Sequence, residues 1–154
     1  MQNKIHLVVV SGFNSGLNEL LQNQNKQYNH RTRKMHVYNN EKSKNDKFIK
    51  KIIMAQHPNL KIKNPLYMHY KFYVCDMKHD YSNIESAFIK SFEDALQSVK
   101  CISNDGAKDI VGKTVDYELD RTLKHHVVLV AMEELPRGTI KVPDIFDWNI
   151  FKQE

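Results

Sequence analysis

Apolar and polar residues alternate along several short segments of the chain, and this alternation predicts β-strands. The segment Ile5–Val10 is apolar and rich in β-branched residues, and Ser11-Gly12 ends it. Residues 66–75 alternate most clearly, with apolar side chains on one face and aromatic or polar side chains on the other. Two more strands are expected over residues 109–119 and 125–132.

Two other segments carry apolar residues at the three- and four-residue spacing of an amphipathic helix. Residues 41–57 place apolar side chains on one face and lysines on the other. Residues 83–100 form the second predicted helix, with Ser82 or Asn83 as a suitable N-cap and Glu85 adding charge to the first turn. Together the elements predict one α+β domain, a small mixed sheet of about four strands packed with two or three helices.

Residues 14–40 show little periodicity and are crowded with Asn, Gln and basic side chains. We expect a short helix near Leu17–Leu21 and then a polar basic arm over residues 22–40. Such an arm can contact phosphates and become ordered on binding, although a solvated loop is an equal alternative. The expected nucleic-acid-binding residues in this part of the chain are Asn18, Lys26, Arg31, Arg33 and Lys34.

Pro136-Arg137-Gly138 interrupts the regular pattern before an aromatic C-terminal segment. We therefore expect the packed domain to cover residues 1–135 and a tail to cover residues 136–154. Aromatic residues in such a tail, here Phe146 and Trp148, more often anchor a terminus or a dimer contact than stack on bases.

Composition narrows the class of partner and the compartment. Lys and Arg number 23 against 18 Asp and Glu, a net charge of +5, which suggests an acidic partner, most commonly nucleic acid. The only cysteines are Cys75 and Cys101, without a CxxC pair, so neither a disulfide scaffold nor a zinc cluster is expected. No run approaches the roughly 20 apolar residues of a membrane span, so we expect no membrane partner and a cytoplasmic location.

Two carboxylates are candidates for chemistry. Asp80 lies between the predicted strand over residues 66–75 and the helix that follows, and Asp105 lies in an Asn-Asp-Gly turn beyond that helix. If packing brought them together, their oxygens would suit Mg²⁺, which activates water and neutralises charge on a cleaved phosphodiester. From spacing alone, an ordinary cap at Asp80 and an ordinary turn residue at Asp105 are the favoured alternative.

Several short motifs occur in an order that is similar to a known family. They are Leu17-Asn18-Glu19, Asp80-Tyr81-Ser82-Asn83-Ile84, Lys90, Asp94-Ala95-Leu96 and Asn104-Asp105-Gly106. Over roughly residues 5–133 the chain resembles the RusA-type Holliday-junction resolvases, in the form common in phages and prophages of Gram-positive bacteria.

The resemblance implies a RusA-like fold and a homodimer that nicks symmetric strands of four-way DNA junctions during recombination and repair. It also implies Mg²⁺ as the cofactor, with Mn²⁺ as the alternative metal. The protein would act in a bacterial cell and be encoded by the host or by a phage. By position, Asp80, Asp105 and Ser82 would be metal ligands. Lys90 would position a phosphate or stabilise charge and would share the catalytic role of Asp80 and Asp105.

Supporting roles are expected for three further residues. Asn83 and Asp94 share a polar helix stripe with Lys90, although a solvated Lys90–Asp94 pair is the alternative. His79, beside Asp80, could contact DNA or orient a water. His125 and His126 would point to opposite faces of a strand, which makes them poor candidates for a joint metal site.

Ser82 departs from the family pattern, which usually has an aspartate at this position. A serine hydroxyl can join a magnesium shell but adds no negative charge. Besides the junction endonuclease, two other functions therefore remain open. One is a catalytically weak or inactive DNA-binding protein on the same fold, and the other is a basic protein-interaction module.

Overall fold

The computed structural model describes residues 3–13, 31–103, 109–138 and 146–152, with the backbone alone over residues 31–41. Four strands and two long helices confirm the predicted α+β class. In chain order the elements are β1 (Ile5–Ser11), α1 (Arg31–Gln56), β2 (Leu66–Val74), α2 (Tyr81–Ser98), β3 (Ile110–Leu119), β4 (Val127–Glu134) and a short 3-10 helix (Trp148–Phe151).

The four strands form one mixed sheet in the order β1-β4-β2-β3. Strand β4 is antiparallel to both β1 and β2, whereas β2 and β3 are parallel. A parallel pair needs a crossover connection, and α2 provides it. As a result Leu66, Ile110 and Glu134 lie at one end of the sheet, and Val74 and Val127 lie at the other.

The hydrophobic core lies between one face of the sheet and the two helices. Alternate residues of the strands point into it, as the period of two requires. Phe88 and Phe92 of α2 stack with ring centroids 5.6 Å apart. The buried Tyr70 hydroxyl donates a hydrogen bond of 2.8 Å to Glu93. Fully buried core residues include Val8, Val10, Ile49, Ile53, Met68, Phe72, Ile84, Leu96, Val128, Val130 and Met132.

Both helices begin earlier than their hydrophobic patterns indicate. Helix α1 begins at Arg31, so the expected arm over residues 22–40 is wrong for residues 31–40, whereas residues 22–30 lie outside the described ranges. The second half of α1 packs on the core through Ile49 and Ile53, and the Arg, Lys and Met residues that precede it are good helix formers, so the helix can extend beyond the apolar pattern.

Helix α2 begins at Tyr81, and its N-cap is Asp80, so the prediction of Ser82 or Asn83 as the cap is wrong. Tyr81 stacks on Tyr117 of β3 at 4.5 Å, which holds the first turn two residues ahead of the expected start. Glu85 therefore lies beyond the first turn, where its carboxylate accepts a short hydrogen bond from the Tyr117 hydroxyl.

The other face of the sheet carries a buried polar network. The His69 side chain is fully buried, with Nδ1 2.7 Å from the Thr114 hydroxyl and Nε2 2.9 Å from Glu133. Asn3 donates a bond of 2.7 Å to the second oxygen of Glu133. Phe146 stacks on the His69 ring at 3.9 Å, so the described part of the tail is anchored on the sheet.

Burial lowers the pKa of His69, and the hydrogen bond and charge of Glu133 oppose this shift without cancelling it. The folded chain therefore binds this proton less readily than the unfolded chain, in which a histidine titrates near a pKa of about 6.5. The stability that neutral His69 contributes is present above that value and is lost as the pH falls from it through the lower pKa of the folded chain.

We expect the free energy of unfolding in urea to decrease as the pH falls from about 7.5 to about 5.5. His69→Gln should lower the unfolding free energy by about 1–3 kcal/mol at the higher pH, because Glu133 and Thr114 lose their partner. The same variant should show a shallower pH dependence. His125→Gln, which changes an exposed histidine, is the control and should keep the wild-type slope; an unchanged slope in His69→Gln would contradict the assignment.

Candidate functional site

Asp80 lies just beyond the end of β2, at the N-cap of α2. Its backbone is extended, with φ −64° and ψ 144°, and its carbonyl accepts bonds from Asn83 and Ile84. The exposed side chain makes no capping hydrogen bond. The carboxylate is therefore not used to close the helix, although it lies where the helix dipole favours a negative charge.

Ser82 and His79 lie close to Asp80 in the chain. Ser82 is an exposed residue of the first turn of α2. Its backbone carbonyl accepts a 2.8 Å hydrogen bond from the Ser86 hydroxyl. His79 and Asn83 are half-buried. Asp80 and Ser82 thus provide oxygen donors two residues apart, the type of ligand that Mg²⁺ prefers.

Asp105 lies outside the described residues. The nearest described residues are Ser103 and Asp109, and the Asp109 carbonyl accepts a 2.8 Å bond from Leu66 at the start of β2. Asp80 follows the opposite end of β2, and the 18-residue helix α2, about 27 Å long, runs between the two regions. The described residues do not bring these two regions together, so the joint Asp80–Asp105 site stays a prediction.

Lys90 and Asp94 form the solvent-exposed pair that was the alternative to a catalytic role. Their charged atoms are 3.8 Å apart, and the Lys90 side chain is 72% exposed. Lys42 of α1 reaches the same Asp94 oxygen at 3.7 Å. Lys90 lies ten residues beyond Asp80, about 15 Å along the helix, so it does not adjoin that carboxylate in one chain.

The expected nucleic-acid-binding residues lie partly outside the described ranges and partly at the start of α1. Asn18 and Lys26 lie outside the described ranges. Arg31, Arg33 and Lys34 form the first turn of α1, where the backbone alone is described. These three residues therefore start a helix and are not part of the polar basic arm that was expected over residues 22–40.

A basic groove lies at the end of the sheet where β2 begins. Its volume is about 660 Å³, and the described residues that line it include no carboxylate. Four exposed basic residues surround it, and we call this set the basic groove: Lys61, Lys63, Lys100 and Arg137.

One backbone and one side-chain hydrogen bond link two of the loops that form the basic groove. Ile62 donates a 2.8 Å bond to the Cys101 carbonyl, and Lys61 donates a 3.1 Å side-chain bond to the Lys100 carbonyl. Lys100 has a positive φ of 63°, which turns the chain sharply where α2 ends. Ser103, the residue that precedes Asn104-Asp105-Gly106 in the chain, lines the groove too.

Sequence reasoning missed the basic groove because its members come from three separate loops. None of them belongs to a basic run or a motif, and only the pairing of the loops brings them together. A surplus of lysine with no acidic neighbour nearby in the chain was the sole available signal, and Lys61 and Lys63 carry it.

A second polar cluster lies at the other end of the sheet. Cys75, Asp76 and His126 each offer one ligand atom, and these atoms all lie within 4.8 Å of one another. The expectation that His125 and His126 begin a strand is wrong, because β4 starts at Val127. His126 instead lies in the loop before β4, where its Nδ1 accepts a 3.0 Å bond from the Cys75 amide.

The three groups of this cluster have shifted pKa values. Burial, followed by the charge of Asp76, raises the pKa of the Cys75 thiol. The amide of Lys78 donates to Asp76 and holds the pKa of that carboxyl below its usual range. Burial lowers the pKa of His126, so its imidazole favours the neutral form that binds metals.

Comparison with known proteins assigns no family to the chain: no protein-family model matches it, and no curated protein matches it. The resemblance to the RusA-type resolvases therefore depends on the order of its sequence motifs. In the part of the chain that the structure describes, no helix is long and apolar enough to cross a membrane.

Proposed function

We propose that the protein is a magnesium-dependent endonuclease that binds branched DNA, with four-way junctions as its substrate. The observation that carries this proposal is the basic groove, whose lining includes Ser103, the residue that precedes Asn104-Asp105-Gly106 in the chain. The motif order that resembles the junction resolvases supports the same function. The protein is proposed to act as a homodimer, because a junction offers two symmetry-related strands.

The basic groove suits a phosphate backbone better than a small ligand. Lys61, Lys63, Lys100 and Arg137 are all exposed, and their long side chains can follow phosphates of varied position. Contacts of this kind give affinity and register without reading bases. Junction shape, more than base sequence, would then decide which DNA is bound.

The residues around Asp80 suit a magnesium ion through their oxygen donors. Asp80 offers an exposed carboxylate without a capping bond, and Ser82 offers a hydroxyl in the same turn. Bound magnesium would activate a water and stabilise charge on the phosphodiester. The neutral Ser82 leaves one fewer negative charge than the family pattern, which favours a weakly cleaving enzyme as the second candidate function.

The separation of Asp80 from the residues that flank Asp105 favours a site shared between two protomers. Within one chain, Asp80 and Ser103 lie near opposite ends of α2. A two-fold dimer can place the start of one α2 beside the end of the other. Asp80 of one protomer and Asp105 of its partner would then serve the same site.

Removal of charge from the basic groove should weaken DNA binding in a salt-dependent way. For Lys63→Gln combined with Arg137→Gln, we expect weaker junction binding and a slope of log affinity against log salt that is smaller by about two. Fluorescence anisotropy at several salt concentrations measures both quantities. Lys152→Gln removes an exposed lysine that belongs to neither the basic groove nor the start of α2, and it should bind as wild type. An unchanged slope in the double variant would remove the main support for the proposal.

Cleavage is tested with a labelled four-way junction and a linear duplex of the same sequence in Mg²⁺. We expect paired nicks in the junction alone, and their loss in Asp105→Asn and in Asp80→Asn. Asp80→Asn should fold normally because its side chain makes no capping bond. Ser82→Asp should raise metal affinity or the cleavage rate, because it restores a carboxylate.

Three other results distinguish the alternatives. Tight, salt-sensitive junction binding without nicks, unchanged by Asp105→Asn, would indicate a non-catalytic DNA-binding protein. No binding at low salt would exclude both DNA functions and favour a basic protein-interaction module. No effect of Ser82→Asp would mean that another group has taken the role of the missing carboxylate.

The shared site has its own test. Asp80→Asn and Asp105→Asn chains, each inactive alone, are mixed, partly unfolded and refolded together to form heterodimers. In a shared site one of the two sites of the heterodimer regains both carboxylates, so nicking of one strand should return. A mixture that stays inactive, although heterodimers are present by native mass spectrometry, would place each site within one chain.

A further inference from the structure

Cys75, Asp76 and His126 meet just beyond the paired ends of β2 and β4. Tyr73 and Val127 are the last paired residues of these strands, so Cys75 and His126 leave the sheet side by side. The Cys75 amide donates to His126 Nδ1 at 3.0 Å, which holds the ring against the cysteine. The loop thus brings a thiol, a carboxylate and an imidazole together through the fold itself.

The spacing of these groups matches a tetrahedral metal site. The Cys75 Sγ and Asp76 Oδ2 atoms are 3.7 Å apart. With Zn–S near 2.3 Å and Zn–O near 2.1 Å, tetrahedral coordination separates the two donors by about 3.6 Å. One ring nitrogen of His126 lies within 4.8 Å of both atoms, so about 1 Å of side-chain movement would bring the two remaining separations to tetrahedral values.

The neighbouring groups orient the ligands toward a shared point. Asp76 Oδ1 accepts from the Lys78 amide at 3.0 Å, while Oδ2 faces the sulfur. Hydrogen bonds of this type fix the direction of ligating carboxylates in known metal sites. His126 is 8% exposed, whereas Cys75 and Asp76 are half-buried, which leaves one open side for an ion and a water.

We propose that Cys75, Asp76 and His126 bind one transition-metal ion of the Zn²⁺ class, with a fourth position open to water. Thiolate and imidazole select such ions, whereas Mg²⁺ is bound by oxygen alone. This site is therefore chemically distinct from the magnesium site proposed around Asp80, and it does not depend on DNA cleavage. Three protein ligands with an open position are also the arrangement found in catalytic zinc sites.

Metal binding has a defined proton balance. The metal–sulfur bond forms as the Cys75 thiol loses its proton to solvent. If the ion binds His126 Nδ1, the Cys75 amide loses that hydrogen-bond acceptor and donates to water in its place. Affinity should therefore rise with pH, as it does for other sites that must release a thiol proton.

Cobalt titration of the reduced, tag-free full chain tests the proposal, because Co²⁺ substitutes for Zn²⁺ and reports its ligands. We expect one Co²⁺ per chain, visible bands of a tetrahedral ion and a near-ultraviolet band of sulfur-to-cobalt charge transfer. Added Zn²⁺ should erase all of these bands. Cys75→Ser should abolish the charge-transfer band, and His126→Gln should weaken binding at least tenfold.

Two matched variants control for other cysteines and histidines. Cys101→Ser changes the second cysteine, at the other end of the sheet, and His125→Gln changes the exposed neighbour of His126. Both should keep the wild-type spectrum, with circular dichroism to verify folding of every variant. Absence of a charge-transfer band in the wild type, or its persistence in folded Cys75→Ser, would overturn the proposal.

Discussion

The parallel pairing of β2 with β3 is the constraint on which the rest of the structure depends. Between two adjacent parallel strands the chain must return to the end of the sheet at which the first strand began, and α2 forms this crossover connection. Its apolar side then covers the core through Phe88 and Phe92. Because of this geometry, residues close in sequence to the two ends of α2 lie at opposite ends of the molecule.

That constraint explains why the two polar sites, the basic groove and the Cys75, Asp76 and His126 cluster, lie at opposite ends of the sheet. The basic groove forms where β2 and β3 begin, beside the exit of α2. The Cys75, Asp76 and His126 cluster forms where β2 ends and β4 begins, beside the entry to α2. The described lining of the basic groove therefore carries positive charge without a carboxylate, whereas the cluster at the other end carries sulfur, nitrogen and oxygen donors.

Periodicity was sufficient to predict the fold class and the strands, because β1 buries alternate residues and β2 alternates apolar core residues with aromatic and polar ones in its sequence. The residues at which the helices begin were less predictable. Tyr81 belongs to α2 because it contacts Tyr117, and a local sequence pattern cannot indicate a contact with a residue 36 positions away. The pairing of Cys75 with His126 has the same origin, since it depends on strand register. Adjacent histidines in a strand would diverge, but His125 and His126 lie in a loop to which that rule does not apply.

The stacking of Phe146 on His69 has a consequence for the boundary expected after residue 135. His69, Thr114 and Glu133 come from three different strands, and the aromatic ring seals their hydrogen bonds from water. The hydrogen bonds at the centre of the sheet are thereby covered by a segment that follows it in the chain. The described part of the tail therefore packs on the strands, so contact with the sheet and not sequence position alone bears on where the domain ends.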